Sequence, residues 1–303
     1  MKIAIFGSTG FVGTHLKQNL INKYEIISYS LRDDRDNLQY IKDCAIMINL
    51  VGKAHDHKGI ATEADYHYAN VDLAKTIFEK FVSSKANLLI HVSSLAALEE
   101  LESSDFLTEA DIPNPISSYG KSKRAAEEWL LAQKISPDKK IIIIRPPMIH
   151  GSGDKGNLSL LVKLISKGLP YPLASFDNKR SFICIDNFCF FIEKTIENYH
   201  NLNTGIYHIS DDQALSTKSV ISIIQKEYGK RTFSLSVPRF LMIGIARIGD
   251  FLPILINSTK LKKMTSDLLV SNLKIKKELD IHTLPYTAED GLRKTIRSFI
   301  DKK

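Results

Sequence analysis

A chain of 303 residues is long enough for one large domain or two modest ones, each with its own core. With 44% apolar and 25% charged residues it has the composition of a soluble globular protein and not of a disordered or collagenous one. The formal charge of +7 suits anionic ligands, but the lysines are scattered and no basic run is interleaved with aromatics, which argues against nucleic acid.

The first element is Lys2-Ile3-Ala4-Ile5-Phe6, an apolar run of strand length. Gly7-Ser8-Thr9-Gly10-Phe11-Val12-Gly13 follows, and Thr14 to Ile21 then has helical spacing. A strand that turns through glycines directly into a helix is a dinucleotide-binding arrangement. Gly7 permits the tight turn, Gly10 lets the backbone approach a pyrophosphate, and Gly13 lets the helix pack on the strand. The helix N-terminus supplies free N–H groups for the phosphates, so Thr9, Phe11 and Val12 join the glycines as cofactor candidates. Met1-Lys2 leads straight into this strand, leaving no room for a signal peptide. Cys44, Cys184 and Cys189 have neither disulfide nor metal spacing. Together these read as a reduced, cytoplasmic protein.

Glu25 to Ser30 reads as the second strand, whose end meets the adenosine ribose in such a unit. An acid there selects NAD; Ser30 with Arg32 two residues on leans the reading toward NADP. Ala45 to Gly52 is a buried-strand pattern, and its end places Leu50, Val51 and Gly52 beside the cofactor. Lys53 and His55 follow at the carboxyl edge of the sheet, where substrates are held. His55-Asp56-His57 lacks a third convergent ligand, so no metal is assigned. Asp65 to Phe81 has helical periodicity and contains Asn70. Ala86 to Val92 is another buried strand, ending in Ser93-Ser94. A helix beginning near Pro115-Ile116-Ser117-Ser118 carries Tyr119 and Lys123, and Lys139 to Ile144 is a further strand ending at Arg145-Pro146-Pro147.

Strands and helices alternate throughout this half, which predicts an α/β chain built on a Rossmann doubly wound parallel sheet. From Gly151 glycines, prolines and short elements replace the alternation. The expected division is a dinucleotide-binding domain over 1–150 and a smaller, mostly C-terminal substrate-binding lobe over 151–303, with some segments returning to the first. Within the lobe, Leu158 to Lys167 reads as a helix and Arg180 to Ile185 as a strand. Val237 to Ile256 is apolar but holds Arg239, Arg247 and Asp250. It fits a helix packed on the protein or at an interface better than a membrane span, with attachment to a membrane surface as the remaining alternative.

Tyr119 and Lys123 are four apart and share a helix face. A phenol of pKa about 10 is a poor acid or base at neutral pH, and a fixed ammonium beside it favours the phenolate. Ser94, at a strand end, can hydrogen-bond the substrate oxygen that gains or loses a proton. These groups assemble hydride transfer between a carbinol carbon and a nicotinamide.

The glycine turn, Ser93-Ser94 and the tyrosine–lysine pair together resemble the extended short-chain dehydrogenase/reductase family, in its nucleotide-sugar epimerase/dehydratase branch. The resemblance implies that Tyr119 is the general acid/base, Lys123 its electrostatic and ribose-binding partner, and Ser94 the substrate-oxygen donor. It also puts Asn70 near the cofactor side of the sheet and Pro146 to Met148 along the nicotinamide. In the lobe, Gly156-Asn157-Leu158 resembles the segment that contacts the sugar-nucleotide diphosphate and base, with Tyr171 flanking a uracil ring. Arg180 matches an arginine that pairs with the diphosphate, for which its planar fork is suited. The late arginine expected to grip the diphosphate a second time is not evident, and Lys262 or Lys263 is its substitute. An Asp-Glu pair that would mark a dehydratase is replaced by Leu95-Ala96. The implied activity is reduction of a UDP-4-keto-6-deoxy-N-acetylhexosamine at C4 in bacterial surface-polysaccharide assembly. The alternative is a UDP-sugar 4-epimerase with retained NAD. A homodimer through a four-helix bundle, formed by the helices over 65–81 and 119–134, is also implied.

Overall fold

The computed structural model describes residues 1–31, 41–54, 60–154, 156–168, 171, 173, 176–229, 237–250 and 257–301. The strands, in chain order, are β1 (Lys2–Phe6), β2 (Glu25–Tyr29), β3 (Ile46–Asn49), β4 (Leu88–Val92), β5 (Phe106–Leu107) and β6 (Lys140–Arg145). They continue as β7 (Met148–His150), β8 (Lys179–Arg180), β9 (Phe182–Cys184), β10 (Gly205–His208), β11 (Leu215–Ser216) and β12 (Leu269–Val270). Six of them form a parallel sheet in the order β10-β6-β4-β3-β1-β2. The fold is α/β, as the alternation predicts. The chain runs outward from β1 to β2 and then crosses back to β3, so the order reverses between β1 and β3. Open α/β sheets take ligands above the carboxyl ends at such a point.

Both faces of the sheet are covered, which is why its strands read as unbroken apolar runs. Ile3, Ile5, Ile46, Ile48, Ile90 and Ile144 point to the face packed by α1 (Phe11–Leu20) and the later helix 185–198. Ala4, Phe6, Met47, Leu89, Ile141 and Ile143 point to the other face. There they meet α2 (63–82) and α3 (Ser118–Leu131). α2 opens on a capping box between Thr62 and Asp65 and carries one π turn at Tyr68–Asp72. α3 opens on Ser117, whose hydroxyl accepts from the Gly120 N–H at 3.0 Å.

Beyond residue 150 a second core gathers from α4 (Asn157–Ser166), then α6 (Thr217–Tyr228), α7 (Arg239–Gly249), α8 (Ser258–Thr265) and α10 (Ala288–Ile300). The intervening α5 (Ile185–Asn198) packs on α1, β10 pairs with β6, and α9 (Leu273–Glu278) sends Ile275 into the sheet's core. The run 180–185 is not one strand. Ser181 interrupts it, its N–H donating to the Leu268 carbonyl and its hydroxyl accepting from the Val270 N–H. β8 and β9 therefore pair with different partners, β11 and β7, and Ile185 already begins α5. α7 also departs from expectation: only Met242 and Ala246 are buried, and most of its apolar side chains face outward. Among the described residues no helix is long and apolar enough to cross a membrane.

Burial of polar groups in this fold has a measurable acid signature. His91 and His208 are held neutral by burial, with pKa values pulled down to about 3, and His150 to about 4. Below the ordinary histidine pKa the unfolded chain binds protons that these rings refuse, so stability falls as pH drops from about 6.5 toward 4. Asp211 opposes this, because burial pushes its pKa up to about 7 and the folded state then binds a proton first. Three histidines against one aspartate leave a net of about two protons, or about 2.7 kcal/mol per pH unit near pH 5. Denaturant midpoints measured from pH 7 to pH 4.5 should show that slope; a flat profile would contradict the burial of these rings.

Candidate active site

The glycine turn has three different requirements at its three glycines. Gly7 adopts φ +82°, and a Cβ there would also approach the Leu50 carbonyl carbon and Val51 nitrogen at 3.1 Å. A Cβ on Gly13 would lie 2.2 Å from the Gly7 carbonyl oxygen, so the helix can seat on the turn only without one. Gly10 differs: it is exposed with φ −73°, and its nearest protein atom would be an ordinary 3.5 Å away. Nothing in the protein itself excludes a side chain at Gly10. The space beside it opens outward, at the N-terminus of a helix with no side-chain cap and no acid in its first turn. That is a cradle for an anion approaching the backbone. Thr9 is exposed in the same turn, and Phe11 and Val12 are partly buried in the first turn of α1.

At the end of β3, across the crevice, Leu50 and Val51 are half-buried and Gly52 is exposed. A Cβ on Gly52 would fall 2.6 Å from Asn70 Oδ1 and 3.0 Å from Lys123 Nζ. Asn70 lies in the π turn of α2, buried and fully engaged. Its Oδ1 accepts from the Lys53 N–H at 2.9 Å, and its Nδ2 donates to Ser122 Oγ at 2.8 Å and to the Lys53 carbonyl at 3.2 Å. It therefore reaches the crevice by clamping the Lys53 loop to α3, not by presenting a free amide. The Lys53 ammonium stands 5.7 Å from the Tyr66 ring centroid, and that ring is 6.4 Å from the Tyr119 ring.

Ser94, Tyr119 and Lys123 converge. Ser94 caps the short turn Leu95–Ala97, and its hydroxyl is hydrogen-bonded to the Tyr119 phenol. One turn along α3, Lys123 Nζ donates to the Val92 carbonyl at 3.0 Å. The Leu95 N–H donates to the Pro146 carbonyl at 2.8 Å, which holds buried Pro146 beside the serine. One expectation is overturned. Burial holds the Tyr119 pKa above 10; the Ser94 hydrogen bond opposes that, and the Glu100 and Tyr66 charges add to the rise. Lys123 does not bring it down, because its own ammonium is spent on the strand-end carbonyl. Burial pulls Lys123 to about 8, with Glu127 working in the opposite direction.

Glu127 is the residue the sequence reading passed over, although it continues the i, i+4 row Tyr119–Lys123–Glu127. It is fully buried, accepts from Ser93 Oγ at 2.5 Å, and forms a two-pronged ion pair with Arg145 at 2.6 and 2.8 Å. Arg145, at the end of β6, is also buried and approaches His208 Nε2 at 3.5 Å. Ser93 thus anchors β4 to α3, leaving its neighbour Ser94 to face the phenol.

On the lobe side a cavity of about 810 Å³ is lined by Met148, Leu158, Tyr171, Arg180, Phe182 and Lys263 among others. Four sequence-assigned residues meet there: Met148, Leu158, Tyr171 and Arg180. Burial lowers Arg180 to about 10, and its Nη1 donates to the Leu101 and Ser266 carbonyls at 3.4 and 3.2 Å. Tyr171 is buried, which pushes its phenol to about 12. Lys263 pairs with Glu100 at 2.7 Å, and Glu100 accepts from the Ile116 and Ser117 N–H groups at the start of α3. Lys262 pairs with Glu102 at 2.7 Å. Of the two lysines named as a substitute for a second diphosphate grip, only Lys263 reaches the cavity, and it ties the lobe to the helix that carries Tyr119. Ser30 is exposed just past the end of β2. Arg32, His55 and the Asn157 side chain lie outside the described residues.

Comparison with known proteins agrees with this geometry. The chain is 27% identical to the UDP-glucose 4-epimerase of Vibrio cholerae over 98% of its own length and 95% of that protein's. It is 24% identical to the N-acetyl-alpha-D-glucosaminyl-diphospho-ditrans,octacis-undecaprenol 4-epimerase of Escherichia coli O157:H7, over 97% and 94%. The crystal structure of UDP-glucuronic acid 4-epimerase from Bacillus cereus in complex with NAD shares the fold, with a TM-score of 0.79 at 18% identity and 99% of each chain covered. The match to a family spans residues 3–210, from the first strand past the tyrosine–lysine pair and Arg180 to the end of the sheet, and by it the chain belongs to the NAD dependent epimerase/dehydratase family.

Proposed function

We propose that the protein is a nucleotide-sugar 4-epimerase that keeps NAD in the crevice between β1 and β3. The observation that carries the reading is the Ser94–Tyr119 hydrogen bond one helical turn from a buried Lys123 at the end of β3. Gly7, Gly10 and Gly13 with the start of α1 cradle the pyrophosphate, Ser30 meets the adenosine ribose, and Leu50 to Gly52 and Pro146 flank the rest of the cofactor. Lys123 turns from the Val92 carbonyl to the nicotinamide ribose. NAD, when bound, takes the hydride from C4 of the sugar, returns it to the opposite face, and brings a positive charge close to the phenol. That charge adds to the Ser94 hydrogen bond in drawing down a phenol that burial alone leaves too weak an acid. Tyr119 then takes the C4 hydroxyl proton and gives it back, with Ser94 holding the same oxygen. Arg180 pairs with the diphosphate, and Leu158, Tyr171 and Asn157 line the nucleotide side. Lys53 and His55 border the sugar. Pairing of two copies through α2 and α3 fits the same reading.

Reduction of a 4-keto sugar uses the same groups, and two full-length relatives named as 4-epimerases favour interconversion. What their named substrates share is a sugar joined at C1 to a diphosphate, and UDP is the carrier proposed here. The deciding assay follows UDP-glucose and UDP-N-acetylglucosamine by NMR without added cofactor, and measures the nucleotide released on denaturation. Conversion at C4 with about one NAD per chain supports the epimerase. Stoichiometric oxidation of added NADPH with a 4-keto sugar would instead establish a reductase, and would also revive the NADP preference drawn from Ser30 and Arg32.

Two glycine substitutions separate cofactor recognition from folding. Gly10→Ala should leave the melting temperature nearly unchanged, since its Cβ meets only an ordinary contact, while retained NAD falls at least about tenfold. Gly13→Ala should lower stability by about 1–3 kcal/mol, because backbone must move to admit the methyl. Equal NAD retention by wild type and Gly10→Ala would remove the pyrophosphate from this turn.

A further inference from the structure

Helix α7 turns its apolar side chains the wrong way for a helix of a water-soluble lobe. Phe240 is 71% exposed and Ile248 55%, and Leu241, Ile243 and Ile245 are each more than 40% exposed. Phe240, Gly244 and Ile248 form one i, i+4 row and Leu241 with Ile245 the next, so these side chains make a contiguous strip. Met242 and Ala246 hold the opposite side of the helix in the lobe's core. Met264 on the neighbouring α8 extends the apolar surface.

The charge around this strip is one-sided. Between residues 230 and 263 the sequence holds seven Lys or Arg and a single acid, Asp250, which accounts for six of the chain's seven net positive charges. The excess that looks scattered along the chain is thus concentrated here. Arg239, Arg247, Lys260 and Lys262 are all exposed. Arg239 lies over the Phe176 ring at 5.5 Å, Asp250 is held by the Ser258 N–H and hydroxyl, and Lys262 meets Glu102. An exposed pair of that last kind neutralises little.

An exposed apolar strip edged by cations has the composition of an interfacial helix, which lies flat with its apolar side among acyl chains and its cations at anionic headgroups. Face-to-face pairing of two copies would set Arg239 and Arg247 against their own equivalents, so charge disfavours self-association through this face. We infer that α7 seats the second lobe on an anionic membrane surface. The seat adjoins the substrate cavity, since α8 packs on α7 and supplies Lys263 and Met264 to the cavity lining. This inference does not rest on the proposed reaction.

The test is sedimentation of the full chain with phosphatidylcholine vesicles, with and without phosphatidylglycerol, comparing wild type with the Phe240→Glu/Ile248→Glu double variant. Both substitutions are at exposed positions outside the catalytic and cavity groups, and circular dichroism checks the fold. Wild type should bind anionic vesicles at least about tenfold more than neutral ones, more weakly at high salt, and the double variant should lose about tenfold or more. Soluble UDP-sugar turnover should be unchanged in the variant. Three results would overturn the inference: no binding to anionic vesicles, equal binding by the variant, or a dimer in light scattering that the double variant turns into monomer.

Discussion

Tyr119→Phe should retain NAD and lose turnover by about 10²–10⁴-fold, the contribution of a positioned proton donor and acceptor. The phenol is half-buried and its hydroxyl is bonded to Ser94, so removing one oxygen leaves the ring, its neighbour Tyr66 and helix α3 in place. The loss should appear in kcat with little change in KM, because the missing contact acts on the proton in flight. Ser94→Ala should fall less, since it removes the partner and keeps the acid/base. The protein-bound nucleotide, counted after denaturation, serves as the folding control. Turnover within tenfold of wild type in Tyr119→Phe would move the acid/base elsewhere. Because the phenol stands above its ordinary pKa without ligand, the free energy of ionising it must be supplied when cofactor and sugar bind.

Glu127→Ala carries the largest expected effect on folding. Its carboxylate is the counter-ion of Arg145 and the acceptor for Ser93, and both partners are buried with it. Removing it strands a guanidinium between β6 and α3, and breaking such a pair from one side costs about 3–5 kcal/mol. The denaturant midpoint should fall by the corresponding amount. Glu127→Ala/Arg145→Met should recover a good part of the loss, because the second change removes the uncompensated charge. A single-variant cost under about 1 kcal/mol would show that water reaches Arg145. Activity should suffer as well: Ser93 holds β4 to α3, and its neighbour Ser94 owes its direction to that anchor.

The site was legible in pieces. The strand–glycine–helix opening, Ser93-Ser94 and the Tyr119–Lys123 pair are local signals: each element carries its own period, and side chains four apart on a helix share a face. The departures occur where a group's behaviour depends on its neighbours in space. Spacing puts Lys123 near Tyr119, but Val92, 31 residues away, accepts the ammonium and burial sets the phenol's pKa. Spacing also puts Glu127 on the same helix row, yet only β6 brings Arg145 to it. Arg180 and Lys263 could not be assigned a shared cavity from positions 83 apart in the chain.

By itself, the amino-acid order determined the alternation of strands and helices, the glycine turn, and the identity of the groups able to move a proton. Those properties are set by backbone sterics and by periodicity over a few residues, and water enforces the apolar pattern wherever the chain goes. Tertiary structure alone decided which polar groups lose water and to whom they then bond. It turned Asn70 into a clamp, gave Glu127 its arginine, joined the lobe to α3 through Glu100 and Lys263, and left the apolar side of α7 facing outward. Desolvation and long-range pairing depend on distances closed only by packing, and no local window of the chain contains them.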